Sequence, residues 1–212
     1  MVGWETPQSR LVQQLRREHV AGERVLAALA RVPRDMFVDE ELRPRAFDDT
    51  PLPIGLDQTI AQPSAVALMT EALEVGPAQT VLEVGTGSGY HAAVLAELAR
   101  GVITLERLPA LAARAGRVLA HLGYANVRVI AADGTLGWPA AAPYARILVT
   151  AAAPAIPEPL IEQLAPGGRL VMPLGGRTEQ QLVVLSRDEH GGLGEQSLGP
   201  VRFVPLAGLG GW

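Results

Sequence analysis

The 212-residue sequence contains no cysteine. Disulfides, thiol nucleophiles, thiolate zinc sites and cysteine-bound iron–sulfur clusters are therefore excluded. Lysine is missing as well, so all 18 basic residues are arginine. That removes Schiff-base chemistry and the lysine of a phosphate-binding P-loop. Charge of one sign is scarce too. Twenty-two acids are interspersed with the bases to leave a formal charge of −4, so no basic face calls for nucleic acid or an anionic membrane. No apolar run reaches the length of a membrane-spanning helix, and the N-terminus lacks a signal-peptide pattern, so a cytoplasmic protein is expected. His19, His91, His121 and His190 are scattered and form neither a metal-ligand spacing nor a triad with Ser and Asp. No metal is expected.

A hydrophobic content of 48% can fill a full core. One domain over residues 1–212 is the simplest organisation, with a helical and loop-rich part to residue 54 and the core from residue 55. The chain is organised around Thr80 to Glu106. Thr80-Val81-Leu82-Glu83-Val84 has the apolar, β-branched character of a buried strand. It runs into Gly85-Thr86-Gly87-Ser88-Gly89, then a helical stretch from Tyr90 to Leu98, then a second strand ending at Glu106. Glycines permit the sharp strand-to-helix turn and let a ligand lie on the amides at the helix start. Glu106 falls about twenty residues on, where a doubly wound sheet presents an acid to ribose hydroxyls. The spacing is G-x-G-x-G, not that of dinucleotide enzymes. A carboxylate at Glu83 would repel pyrophosphate and tolerate a cationic ligand, which favours S-adenosylmethionine over NAD. Glu83 also fits a half-buried strand acid bonded to neighbouring amides, and both readings can hold together.

Along the rest of the chain, Pro7 to Arg31 reads as helical and is ended by Pro33. The irregular region from there to Ile54 fits an active-site lid or an ordinary loop packed by Phe37 and Phe47. Gly55 to Pro63 reads as polar and turn-like, and Pro63 opens a helix to Leu73 whose N-terminus is either a carboxylate-docking point or only a capped start. Pro109 opens another helix to Leu122. Val127 to Ile130 is a strand leading to Asp133-Gly134, and Asp133 is a candidate for the adenine side of a pocket or an ordinary turn. The strand Arg146 to Val149 ends in Thr150-Ala151-Ala152-Ala153-Pro154, small enough for a ligand to approach closely. After a short helix from Pro157 to Leu164 and a strand from Arg169 to Leu174, the runs Gln181 to Ser186 and Val201 to Leu206 predict a terminal β-hairpin.

VLEVGTGSGYHAAVLAEL, RVPRDMFV, DDTPLPIG, QTIAQP, ADGTLGWP, ILVTAAAP, LAPGGRLVMPLG and VRFVPL together resemble the protein-L-isoaspartate O-methyltransferase family, from about Arg31 to the C-terminus. The resemblance implies an α/β fold: a doubly wound, mostly parallel, seven-stranded class I methyltransferase sheet closing in an antiparallel hairpin. It implies S-adenosylmethionine as donor and S-adenosylhomocysteine as product, held around Glu83, Gly85, Thr86, Gly87, Ser88, Gly89 and Thr150, with Glu106 on the ribose and Asp133-Gly134 near adenine. Thr59, Ile60, Gln62, Pro63, Ala151, Ala152, Pro154, Arg202 and Val204 would surround an isoaspartyl residue. Isoaspartyl-containing proteins and peptides are the implied partners, repair of damaged protein the implied role, and a monomer is expected. Arg202 fits an exposed strand residue equally well.

Two positions depart from the family. Ala61 stands where QTISQP carries a serine treated as the active-site residue, and Asp57 where bacterial members have glycine. A missing hydroxyl costs about 1–3 kcal/mol, which weakens the reaction without abolishing it. Thr59 and the amides of Ile60 to Gln62 would still hold the acceptor. Three functions therefore stay open: isoaspartyl methylation, methylation of another carboxylate, or donor binding without transfer.

Overall fold

The computed structural model describes residues 6–212. Along the chain run α1 (Pro7–Arg17), α2 (Glu23–Arg31), β1 (Leu52–Gly55), β2 (Gln58–Ile60), α3 (Pro63–Leu73), β3 (Thr80–Val84), α4 (Tyr90–Ala96) and β4 (Gly101–Glu106). Then come α5 (Pro109–His121), β5 (Val127–Ala131), β6 (Tyr144–Val149), α6 (Glu158–Glu162), β7 (Leu164–Gly175), β8 (Gln180–Arg187) and β9 (Leu193–Val201). Proline opens α1, α3 and α5, where its missing N–H is no loss and its fixed φ suits the first turn.

The main sheet has seven strands in the order β5-β4-β3-β6-β7-β8-β9. β3, β4, β5, β6 and β7 are parallel neighbours, and β8 and β9 close the sheet antiparallel. From β3 the chain winds outward to β5, then returns to the other side of β3 for β6. That reversal leaves a crevice beyond the carboxyl ends of β3 and β6, the place where open α/β sheets bind ligands.

The two faces of the sheet carry separate apolar cores. One packs α1, α2, α3 and α4 around Leu15, Leu26, Met69 and Leu95; the other gathers Leu82, Ile147, Leu164 and Leu170. Every residue of α4 is buried, His91 included, so the helix after the glycine turn is fixed from all sides. Each such aliphatic side chain contributes about 1.5–3 kcal/mol of burial.

Four expectations shift. The N-terminal helical run is two helices, broken where His19 adopts a left-handed φ of 55°. The irregular region before Ile54 is tightened by two 3-10 turns, Arg34–Phe37 and Glu40–Arg45. Gly55 to Pro63 is no mere turn: β1 and β2 form a small antiparallel hairpin, hidden in the sequence because its strands are three and four residues long. The terminal hairpin pairs β8 with Leu193–Val201, not with Val201 to Leu206. β9 is an exposed edge strand with a polar composition and so leaves little apolar signal. The apolar run that follows it instead crosses to the crevice, where Pro205 bridges to Ala152.

Candidate active site

β3 ends at the crevice and the chain turns through three left-handed glycines, Gly85 (φ 96°), Gly87 (φ 53°) and Gly89 (φ 91°). A Cβ at Gly85 would collide with the Thr150 hydroxyl, which itself donates to the Gly85 carbonyl at 2.7 Å. The ends of β3 and β6 are thus stitched together at the switch point. Gly89 serves packing: a Cβ there would press on Ala115 and Leu119 of α5 at 3.2 Å.

The turn amides are mostly spent inside the protein. Gly85 and Thr86 donate to the Leu105 carbonyl at 2.8 and 3.2 Å, Gly89 to Thr86 at 2.8 Å, and Gly87 to Glu106 Oε2 at 2.8 Å. The glycine amides of the turn itself are therefore not free for a ligand. Among the described residues, Ser88 is the turn residue whose N–H has no acceptor, and the glycines act chiefly by leaving room. Glu106 Oε1 accepts from Leu108 N–H at 2.9 Å, so the carboxylate is locked at the tip of β4 with lone pairs to spare.

Glu83 is completely buried on β3. Its Oε2 accepts from the Thr104 hydroxyl at 2.5 Å, Thr104 meets Thr86 at 2.6 Å, and Oε1 has no partner. Burial pushes this carboxyl up to about 8, the Thr104 hydroxyl opposes the shift, and Glu106 adds to it. At neutral pH it is mainly protonated, so the electrostatic case built on a bare carboxylate needs correction. What lies under the turn is a neutral acid with an orphaned oxygen, linked through two hydroxyls to the crevice.

Two clefts open here. A narrow one of about 90 Å³ is lined by Gly85, Gly87, Glu106, Arg107, Gly134 and Leu206, among others. A wide one of about 780 Å³ runs between the Thr59–Gln62 segment, the start of α3 and the stretch Val201–Val204. Both are bounded by Thr59, Gly85, Gly87, Thr150 and Val204, so they meet at the glycine turn.

The fold gathers most of the expected site on these walls: Thr59, Ile60, Ala61, Gln62, Gly85, Thr86, Gly87, Ser88, Glu106, Gly134, Thr150, Ala151, Arg202 and Val204. Glu83, Gly89, Pro63, Ala152, Pro154 and Asp133 line neither cleft. Asp133 is engaged elsewhere: Oδ1 accepts from Thr135 N–H and hydroxyl at 3.0 and 2.7 Å, and Oδ2 from Leu209 N–H at 3.0 Å. Several wall residues had no signal in the sequence. Nothing there singles out Arg107, and Tyr90 reads only as the first residue of a helix. His91, expected to be structural or solvated, is buried, with Nε2 at 2.9 Å from the Thr70 hydroxyl, and it also borders the wide cleft. Among the described residues no group of acids and histidines could hold a metal, and no helix is long and apolar enough to cross a membrane.

The family model for protein-L-isoaspartate(D-aspartate) O-methyltransferase matches residues 6–210. The chain belongs to this family. "Protein-L-isoaspartate O-methyltransferase 1" of Syntrophobacter fumaroxidans is 52% identical over 100% of this chain and 99% of its own length. The Methanoregula boonei protein-L-isoaspartate O-methyltransferase is 58% identical over 89% and 87%. A solved protein-L-isoaspartate O-methyltransferase superposes with a TM-score of 0.88 at 27% identity, covering 96% of this chain and 67% of that one. A Plasmodium falciparum structure in complex with S-adenosyl-L-homocysteine has the same fold, with a TM-score of 0.83 at 24% identity over 96% and 99% of the two chains. The isoaspartate O-methyltransferase sheet, its antiparallel closure and the crevice at its switch point are thus all present in this chain.

Proposed function

We propose that the chain transfers the methyl group of S-adenosylmethionine to the free α-carboxylate of L-isoaspartyl residues in proteins and peptides. The observation that carries the reading is the meeting of the two clefts at Thr59, Gly85, Gly87, Thr150 and Val204. A donor held in one and an acceptor held in the other come face to face only there.

The residues suit the donor. Glu106 offers acceptors for ribose hydroxyls, Gly134 a bare floor and Ser88 an unused N–H. The narrow cleft falls below the ~300 Å³ of ordinary ligand sites, so the donor also occupies the adjoining part of the wide cleft. Bound there, S-adenosylmethionine would supply a methyl group made electrophilic by its sulfonium, for a carboxylate oxygen to take with the electron pair left on sulfur.

The chain's own task is positional. An α-carboxylate with a pKa near ~4 arrives ionised, so no general base is needed. Thr59, at the junction, and the Ile60–Gln62 segment hold it, and Arg202 on the opposite wall offsets its charge. Holding nucleophile and methyl in line is worth about 7–11 kcal/mol. Repair of isoaspartyl damage is the role this chemistry serves. Ala61 supports one second reading, in which a different carboxylate is the better acceptor.

Incubation with methyl-labelled S-adenosylmethionine and matched isoaspartyl and aspartyl peptides tests both. Label on the isoaspartyl peptide alone supports the proposal. Label on the aspartyl peptide or another acid moves it to the second reading, and calorimetry without uptake of S-adenosylhomocysteine removes it.

A further inference from the structure

Arg34 is the largest fully buried side chain, with no exposed surface. Among the described residues no carboxylate lies within ion-pair distance of it, and its Nε is buried without a partner. Its other nitrogens go to main-chain carbonyls. Nη1 donates to Ala46, and Nη2 to Thr50 at 3.2 Å and to Ala61 at 3.0 Å. The guanidinium also lies 5.6 Å from the centre of the Tyr90 ring. Placing a cation inside the protein is costly. A segment that needed only to be packed would be served as well by an apolar side chain.

The geometry accounts for that cost at the acceptor wall. Ala61, Gln62 and Tyr90 all line the wide cleft, so Arg34 sits behind that wall. In a trans peptide the carbonyl and the following N–H point in opposite directions. With the Ala61 carbonyl drawn back onto Arg34, the Gln62 N–H is turned the other way, and it has no acceptor among the described residues. Asp49, within the stretch whose Ala46 and Thr50 carbonyls Arg34 grips, holds the other end of the segment by accepting from Ser64 N–H at 2.8 Å.

We propose that Arg34 is a positioning residue for the acceptor: by clamping the Ala46, Thr50 and Ala61 carbonyls it presents the Gln62 amide to the substrate carboxylate, at the wall where Ala61 offers no hydroxyl. The inference rests on the reading of the wide cleft as the acceptor site.

The test uses the full chain as wild type, Arg34→Met and Arg34→Lys. Peptide methylation is followed together with calorimetric binding of S-adenosylhomocysteine and amide hydrogen exchange over residues 59–62. In Arg34→Met the KM for the isoaspartyl peptide rises about 10- to 100-fold, exchange at 59–62 speeds up, and product affinity stays within about 2-fold of wild type. Arg34→Lys keeps the charge but not the fork, and recovers part of the loss. If Arg34→Met does not fold, Arg34→Lys alone decides, through a raised KM at unchanged product affinity. A wild-type KM in a folded variant overturns the proposal. So does a loss of peptide and product binding in equal measure, which marks Arg34 as merely structural. Should the wild type itself leave isoaspartyl peptide unmethylated, the proposed function fails, and exchange at 59–62 still shows whether Arg34 orders the segment.

Discussion

Ala61 lines the wide cleft, and its carbonyl is already committed to Arg34. Adding a hydroxyl there leaves the backbone arrangement intact and supplies one donor to a bound carboxylate. Ala61→Ser is expected to raise kcat/KM for an isoaspartyl peptide about 10-fold, with product affinity unchanged. Steady-state kinetics on the two proteins decides it, and equal rates would show that the amides already satisfy the acceptor. The β1–β2 turn carries a different defect. Leu56 and Asp57 both sit at left-handed φ, 53° and 58°, as a two-residue hairpin turn of this kind requires. Leu56 suits it poorly, since a left-handed side chain costs roughly 1–2 kcal/mol, and it is also 56% exposed, whereas an aspartate tolerates the conformation, though less well than glycine. Asp57, unexplained by sequence reasoning, is thus a residue in a glycine-like position. Replacing the pair by Asn-Gly should stabilise the chain by about 1–3 kcal/mol, read as a higher urea midpoint at unchanged slope.

At the scale of elements, the buried parallel strands were legible because they are apolar throughout and punctuated by glycine and proline. β3, β4, β5 and β6 fall within one or two residues of their expected positions. What the sequence hid was made by tertiary contact. β9 is polar because it is an edge, and nothing in the sequence singled out Arg34, since an arginine in an irregular stretch is almost always solvated. Asp133 looked available because nothing local announced that a segment 76 residues on would bond to it. That C-terminal segment is a strap. Leu209 and Gly210 donate to Asp133 and Thr135, Trp212 Nε1 donates to the Ala152 carbonyl at 3.1 Å, and the Arg177 guanidinium stacks 5.2 Å from the Trp212 ring. It anchors Leu206 and Ala207, which wall the narrow cleft. Deleting residues 208–212 loosens that wall and should weaken S-adenosylhomocysteine binding by ~1 kcal/mol, about 5-fold in Kd. Tighter binding by the truncated chain would instead show the strap to be an obstruction.

Over the whole molecule, two buried groups, one before and one after the glycine turn in the chain, contribute opposing slopes to the pH dependence of stability. Burial holds the Glu83 carboxyl protonated up to about 8, whereas its ordinary value is 4.5. The folded state therefore binds a proton that the unfolded chain has released, and Glu83 lowers stability as pH rises from 4.5 to 8. Burial pushes His91 down from 6.5 to about 3. Here the unfolded chain holds the extra proton, and stability falls as pH drops from 6.5 toward 3. Each slope approaches 1.4 kcal/mol per pH unit. Between 4.5 and 6.5 the two oppose and nearly cancel, which leaves a plateau with an alkaline and an acid limb. Glu83→Gln should remove the alkaline limb, so that stability climbs through the plateau and levels off above 6.5. His91→Gln, which keeps a donor for Thr70, should remove the acid limb, so that stability climbs as pH falls through the plateau. Urea midpoints from pH 3 to 9 on the three proteins separate these slopes. Parallel profiles would mean that both groups titrate normally, and that water reaches the floor beneath the glycine turn.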